Sequence, residues 1–449
     1  MPTHWLNALE NLLPSRISSD EATRADFAGD KWTRGPLPDV VARPQNTAEV
    51  AQILRFAAEN QVPVTTRGAG WGYVGGAVSS SGGILLSLDQ MNSIREISRA
   101  DFVAVVEAGV VTATLQAEVQ KLGLFYPPDP ASAAYSTLGG NIAANAGGPR
   151  CLKYGVTRGY VLGMEVVLAD GTILNLGGRT HKNATGFDLL GLFVGSEGML
   201  GVVTSATLKL LPRPSSRAGL AAVFADISVA SRAVNAIFEA GMLPTACEIA
   251  DEFTFRSFQR MKGQIESGGA HLLVEVDGSP AATLEEIGQI AAILCGVGAL
   301  QIELASDEIE VQKLWATRRQ FSTALTDLGR VKLNEDVVVP RGKLVDLVNF
   351  ARELGQKHRI EIACFGHAGD GNIHVNLLLE SEKQSAEAAL DELFAQVLTW
   401  GGVITGEHGI GLAKAKWFPS AVSDEVLEVH HKMKTLLDPK DILNPGKWL

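Results

Sequence analysis

Two glycine-flanked clusters in the C-terminal half hold the residues best suited to chemistry. They are Gly366-His367-Ala368-Gly369-Asp370-Gly371-Asn372-Ile373-His374-Val375-Asn376 and Gly406-Glu407-His408-Gly409-Ile410-Gly411. His367 ends an apolar stretch and His374 begins the next, so a turn through the intervening glycines returns both imidazoles toward one ion. Glu407 offers a third, anionic donor. Two His and one carboxylate leave open positions on a divalent metal, where a substrate hydroxyl and carboxylate can sit. Such an ion acts as a Lewis acid and makes the bound hydroxyl easier to deprotonate. His408, beside Glu407, is then the candidate general base, because an imidazole titrates near neutrality. Asn376 lies two residues after His374, on the same strand face, and is a candidate substrate contact. A single His at a strand end is usually structural; three His and a Glu in two glycine-flanked clusters weigh the other way. The spacing does not choose among zinc, manganese and iron.

A second signal lies in the N-terminal half. Four segments expose backbone N–H groups with little side chain in the way. The first is Arg67-Gly68-Ala69-Gly70-Trp71-Gly72-Tyr73-Val74-Gly75-Gly76, a nest suited to a pyrophosphate. It is not a Rossmann fingerprint, since the third glycine is wrongly spaced and no helix pattern follows. The second is the stiff run Pro127-Pro128-Asp129-Pro130. The third, Ser136 to Gly148, is built of small residues and carries two amides, Asn141 and Asn145, that can bond ring heteroatoms. The fourth is Gly195-Ser196-Glu197-Gly198-Met199-Leu200-Gly201-Val202.

These groups must be held by regular elements. Asn46 can cap a helix whose apolar face is Val50, Ile53, Leu54 and Ala57, with Glu49 reaching back. Val62 to Thr66 reads as a short strand running into the first glycine loop. Val161–Leu168, Asp170-Gly171 and Thr172–Leu176 read as a hairpin. The Pro212-Arg213-Pro214-Ser215-Ser216 break marks a domain boundary. Beyond it, strands are expected at Leu220–Phe224, Leu272–Val276, Val331–Val339, Ile360–Phe365 and Ile373–Leu379. Helices such as Leu344–His358 and Glu387–Trp400 are expected to layer one side of that sheet.

At 449 residues the chain is long enough for two cores of roughly 200 residues each. Its 39 basic and 50 acidic residues leave a net charge of −11 without a basic run, which argues against nucleic acid as a partner. The four cysteines, Cys151, Cys247, Cys295 and Cys364, form no C-x-x-C pair, so neither a disulfide framework nor an iron–sulfur cluster is expected. With no apolar run long enough for a bilayer and no signal-peptide pattern, a cytoplasmic protein is expected.

The glycine segments, taken in order with the two histidine clusters, resemble the vanillyl-alcohol-oxidase-type (PCMH-type) flavoproteins. The nearest branch holds glycolate oxidase, D-lactate dehydrogenase and D-2-hydroxyglutarate dehydrogenase. The resemblance runs from about Asp30 to the C-terminus. It implies an α+β chain with a PCMH-type FAD-binding domain (34–213) and a ferredoxin-like α+β substrate and cap domain (214–449), while Leu6, Leu9, Leu12 and Leu13 at helical spacing mark 1–33 as an N-terminal helical segment. It further implies that Arg67, Gly68, Ala69, Gly70, Trp71, Gly72 and Tyr73 wrap the FAD pyrophosphate. Thr137, Gly140, Asn141, Ala144 and Asn145 would line the isoalloxazine and ribityl region, and Glu197, Gly198 and Val202 the adenosine side. Pro128 and Asp129 join this cofactor set, and Asn444 of Leu443-Asn444-Pro445-Gly446-Lys447 would approach the flavin. The first loop has no His or Cys for a covalent flavin bond, so dissociable FAD is expected.

In the same resemblance His367, His374 and Glu407 hold the metal, usually zinc, and His408 is the base. Arg318, in Trp315-Ala316-Thr317-Arg318-Arg319-Gln320-Phe321-Ser322, takes the role of the substrate-carboxylate fork, with Ser322 contributing a hydroxyl. A substrate-binding Lys of some relatives aligns with Asn334, while Lys332 lies two residues earlier on the same strand face, so either is the contact. Loss of that Lys weakens the case for a five-carbon diacid. The expected activity is FAD-dependent oxidation of a small, D-configured 2-hydroxy acid such as lactate, glycolate or 2-hydroxyglutarate, with hydride passing to flavin N5. The alternative is a flavin-bound electron-transfer subunit of a larger oxidase complex without its own turnover. Non-redox alkyl-ether synthases of this fold lack the pairing of these His motifs with Gly-Glu-His. An iron–sulfur subunit, an electron-transfer flavoprotein, a quinone or oxygen would each serve as acceptor, and a homodimer is admissible.

Overall fold

The computed structural model describes residues 4–264, 268–381 and 384–449, which form two compact units. The first comprises Met1–Gly147, Val156–Arg213 and Glu407–Leu449; the second comprises Gly148–Gly155 and Pro214–Gly406. The chain crosses at Arg213, at the proline-rich break, but its last segment returns to the first unit. No helix among the described residues is long and apolar enough to cross a membrane.

In the first unit the helix Thr47–Asn60 is capped by Asn46, whose side chain accepts from the Glu49 N–H at 2.9 Å. The Glu49 carboxylate reaches the N–H of Gln45, one residue before the cap, at 2.7 Å, and pairs with Arg16 at 3.0 Å. Val50, Ile53, Leu54 and Ala57 are buried with Leu9 and Leu13 of the N-terminal segment, so that segment contributes to this core. The strands Val64–Arg67 and Val40–Ala42 both pair in parallel with Ile84–Ser87. A five-stranded antiparallel sheet runs in the order Ile94–Ser98, Val103–Glu107, Val202–Lys209, Val161–Val167, Ile173–Gly177. Its last two strands are the expected hairpin, with Val167 opposite Ile173.

The C-terminal segment closes this unit. Val64 donates to Ile442 O at 2.7 Å and Asn444 donates to Val64 O at 2.8 Å, which lays the tail along the strand that feeds the first glycine loop. Buried Lys434 holds the tail by donating to Asp438 at 2.6 Å, Leu443 O at 2.7 Å and Met199 O at 3.1 Å.

The second unit is a seven-stranded antiparallel sheet. Its order is Gln301–Ala305, Ser216–Phe224, Ala270–Gly278, Ala246–Ala250, Glu361–His367, Asn372–Leu379, Val331–Val338. Alternation divides its residues between two faces. One face carries Leu220, Leu272, Val274, Ile249, Val375 and Leu377. The other carries Glu275, Glu248, His271, His367, His374, Asn376, Asn334 and Lys332, as the cross-strand partners Glu248–His367, Phe365–His374 and Asn334–Asn376 show. Helices cover both faces, not one. Ile227–Glu239, Pro280–Val297, Leu344–His358 and Glu387–Thr399 pack on the sheet. Glu252–Met261 and Phe321–Thr326 bring Phe255, Phe258 and Phe321 onto Ala250, Phe365 and Leu378 of the polar face. That face has apolar positions between its charged ones, and these require cover.

The turn between the two His-bearing strands depends on Gly371 (φ +82°), where a Cβ would meet Val339 O at 2.0 Å. Buried Asp251 ties the strand Glu361–His367 to the helix it caps. Its carboxylate accepts from Thr254 N at 2.8 Å and from Cys364 N at 2.6 Å, and burial pushes its pKa up to about 6. Replacing Asp251 with Ala removes a helix cap and strands a buried N–H. We expect it to lower the unfolding free energy of the second unit by about 2–4 kcal/mol, read as a lower urea midpoint at unchanged slope. A loss under about 1 kcal/mol would show that neither bond matters.

Candidate active site

The glycine segments of the first unit surround one cavity. The strand Val64–Arg67 delivers Gly68, Ala69, Gly70, Trp71, Gly72 and Tyr73 to its wall. Thr137, Gly140, Asn141 and Ala144, on or capping the short helix Leu138–Ala144, form another part, and Glu197, Gly198 and Val202 a third. Backbone makes much of this wall. A Cβ on Gly68 would lie 2.4 Å from Thr137 Oγ1, and one on Gly139 would lie 2.6 Å from Ala108 Cβ. Asn141 is held by donating to Thr112 Oγ1 at 2.7 Å. Leu88, Val203 and Ala143 add apolar surface. A glycine-rich wall beside apolar surface suits a cofactor that joins a pyrophosphate to a flat ring, as FAD does.

Five residues expected at the cofactor stand outside this lining: Arg67, Pro128, Asp129, Asn145 and Asn444. Arg67 lies behind the loop, where its Nη1 donates to Gly29 O at 2.7 Å and burial lowers its pKa. The guanidinium occupies the place a Cβ on Gly70 would take, 2.0 Å away, so it props the loop from behind. The Asn145 side chain accepts from Arg158 N at 3.0 Å. Asn444 accepts from Thr66 N at 2.9 Å and donates to Glu197 O at 2.6 Å, joining the tail to two cavity walls. Asn145, Glu197 and Asn444 all hold positive φ, between 45° and 50°, a conformation costly for residues other than glycine. Tyr135, stacked on Trp71 at 3.9 Å, lines the cavity without any periodic sequence signal to announce it.

Glu407 and His408 also line this cavity. The His408 ring stacks on Tyr73 with centroids 5.2 Å apart. The segment carrying them is anchored on both flanks. The Glu197 carboxylate accepts from the N–H groups of Ile410 and Gly411, both at 2.8 Å. Within the second unit, Asp336 accepts from Gly406 N at 2.8 Å and Thr405 Oγ1 at 3.0 Å. Glu197 thus lines the cavity while its carboxylate is committed to protein backbone; burial raises its pKa, opposed by those N–H donors.

On the polar face of the second unit His367 and His374 have ring centroids 5.5 Å apart. Glu248 lies between His367 and Arg318. One of its oxygens is 2.6 Å from His367 Nδ1, and the other receives Arg318 Nε at 2.7 Å. Burial would raise the Glu248 pKa, but His367 and Arg318 beside it hold it below the usual value. The Arg318 guanidinium also lies over the Phe365 ring at 4.8 Å. Lys332 donates to Ser322 Oγ at 2.6 Å, and burial lowers its pKa. Asn376 donates to His374 O at 2.9 Å, while its own Oδ1 and that of Asn334 are buried with no hydrogen-bond partner among the described residues. His271, pushed down to about 4 by burial, is a neutral imidazole on this face. Sequence reasoning singles out neither Glu248 nor His271. A lone Glu in the apolar run Thr245 to Ala250 is the available signal for the first.

A family model described as FAD binding domain matches residues 38–177, and one described as FAD linked oxidases, C-terminal domain matches residues 213–448. The chain is 40% identical over 442 residues to glycolate oxidase subunit GlcD of Bacillus subtilis, covering 97% of this chain and 94% of that one. It is 34% identical to D-lactate dehydrogenase of Anaerostipes hadrus, covering 98% and 96%. It is 35% identical to mitochondrial D-2-hydroxyglutarate dehydrogenase of Bos taurus, covering 99% and 83%. Among solved structures, p-cresol methylhydroxylase is similar with a TM-score of 0.82 at 17% identity, covering 99% of this chain and 96% of that one. Alkyldihydroxyacetonephosphate synthase is similar with a TM-score of 0.78 at 20% identity, covering 100% and 86%. At such identities these likenesses show the fold alone. With both family models matched and nearly the whole chain aligned to its relatives, the protein belongs to the FAD-linked oxidases and is an FAD-dependent oxidoreductase.

Proposed function

We propose that the enzyme oxidises a small D-2-hydroxy acid, such as glycolate or D-lactate, to the 2-oxo acid with the help of a divalent metal. The observation that carries the reading is His408 in the wall of the glycine-lined cavity, stacked on Tyr73 and next to Glu407. Relatives named for glycolate, D-lactate and D-2-hydroxyglutarate support the substrate class. Bound FAD would supply a two-electron acceptor for the substrate Cα hydride. His408 takes the hydroxyl proton as that hydride leaves. His367, His374 and Glu407 are the proposed metal ligands, zinc being the first choice and manganese or iron the others. A bound ion would supply Lewis acidity toward the hydroxyl.

Arg318 grips the substrate carboxylate with the part of its fork turned away from Glu248. Asn334 and Asn376, whose carbonyl oxygens have no hydrogen-bond partner among the described residues, are the proposed further contacts to the substrate. Lys332 is engaged with Ser322, which leaves this pair less suited to a second carboxylate and favours short monocarboxylic acids. Bound FAD, once reduced, would need a separate electron acceptor.

The direct test is anaerobic flavin bleaching with D- and L-lactate, glycolate, malate and 2-hydroxyglutarate, before and after exhaustive chelation. We expect bleaching by a D-acid or glycolate that chelation abolishes and added metal restores. A yellow protein that no hydroxy acid bleaches would instead mark an electron-transfer subunit. Replacing His408 with Ala should leave flavin and metal contents intact while slowing flavin reduction about 10²–10⁴-fold; reduction at the normal rate removes His408 as the base. Arg318→Lys keeps the charge but loses the planar fork. It should raise KM on the order of 10-fold or more with a smaller effect on kcat, and an unchanged KM transfers the carboxylate to Arg319 or Lys332.

A further inference from the structure

We propose that Glu248 is a positioning residue that orients a metal ligand and the substrate-binding arginine together. This inference rests on His367 being a metal ligand and Arg318 the carboxylate fork. Glu248 lies on the strand Ala246–Ala250 in the middle of the sheet and is 1% exposed. Its register partner across the sheet is His367, so the backbone pairing itself brings the carboxylate to that imidazole.

The two carboxylate oxygens have different tasks. Oε1, 2.6 Å from His367 Nδ1, favours the tautomer protonated at Nδ1. The ring nitrogen left with a lone pair is Nε2, and the ring cannot turn without breaking a short charge-assisted bond. A carboxylate in this position also makes the imidazole a stronger donor to an ion. Oε2 accepts from Arg318 Nε at 2.7 Å, with Nη2 also 2.7 Å away, so one edge of the guanidinium is fixed. The far edge remains for a substrate carboxylate, and one shared anion fixes both that edge and the His367 ring.

A purely structural role fits poorly. Glu275, on the same face, is the structural counterpart: it takes Arg150 at 3.0 Å and the Trp315 indole at 2.5 Å, and no His among the described residues is bonded to it. A buried ion pair is weak evidence of stabilisation, since apolar residues of equal volume often do as well. The pairing of one carboxylate with a ligand imidazole and a fork arginine is what needs a reason.

The test uses the full-length flavoprotein stripped of metal, titrated with Zn(II) against a chromophoric chelator, followed by steady-state kinetics at saturating metal. Wild type should bind one ion per chain. Glu248→Gln, with its flavin spectrum retained, should bind the ion about 10–100-fold more weakly. Its KM for the hydroxy acid should also rise by a larger factor than kcat falls. Glu248→Asp keeps the charge but shortens the reach, and should lie between the two; it gives the same readout should the Gln variant fail to accumulate. A wild type that binds one ion, with Glu248→Gln holding it equally tightly at unchanged KM, overturns this proposal alone. A wild type that binds no ion overturns the metal reading and this proposal with it.

Discussion

Taking a carboxylate out of water costs several kcal/mol unless its charge is answered. Glu248 sits in the centre of a seven-stranded sheet, almost without solvent contact. The answer comes from both sides, a histidine on the neighbouring strand and an arginine on the helix Glu308–Arg319. Much of the second unit follows from that requirement. The helix must lie on the polar face to deliver Arg318. The aromatic cluster of Phe255, Phe321 and Phe365 must seal that face so the charges act in a medium where they are strong. The apolar residues on the reverse face are free to pack helices in the ordinary way.

The first unit solves a different problem, that of offering backbone to a ligand. Loops rich in glycine are floppy unless something stiffens them. Here the stiffening comes from buried side chains outside the cavity lining. Arg67 props the first loop, Asn444 joins the tail to Thr66 and Glu197, and Lys447 donates to Gly75 O at 3.0 Å. Burial lowers the Lys447 pKa to about 8, partly offset by Asp30 and Glu197 nearby. Glu407 and His408 belong to the same scheme, lying in the chain between a residue fixed by Asp336 and residues fixed by Glu197.

What can be read in the sequence divides along physical lines. Features marked by local chemistry are legible. The helix cap at Asn46, the Asp170-Gly171 hairpin and the two His-bearing strands are each set by residues within a few positions. Most of the cavity lining is legible too, because exposed backbone needs glycine. The bond of Arg67 to Gly29 O is not, since nothing near a guanidinium in the sequence marks which distant carbonyl it will meet. The bonds of Asn444 are hidden for a similar reason: its amide satisfies backbone groups hundreds of residues away. The strand Ala246–Ala250 is hidden because it is buried on both faces and shows no alternation, and Glu248 is hidden with it. Helices on both faces of the sheet are missed because the polar residues of one face mask the apolar positions between them.

The chain passes between its units more than once, and the octapeptide Gly148–Gly155 is part of the second although the segments flanking it belong to the first. Lys153 and Tyr154 meet Asp277 at 2.6 and 2.9 Å, and Arg150 meets Glu275. Cutting the gene at Arg213 would therefore not yield two autonomous modules. The N-terminal product would lose Asn444 and Lys434, and the C-terminal product would hold two buried acids stripped of their cations. Swapping one half between relatives, by recombination or by engineering, must carry the octapeptide and the tail along, which ties the evolution of the two halves together.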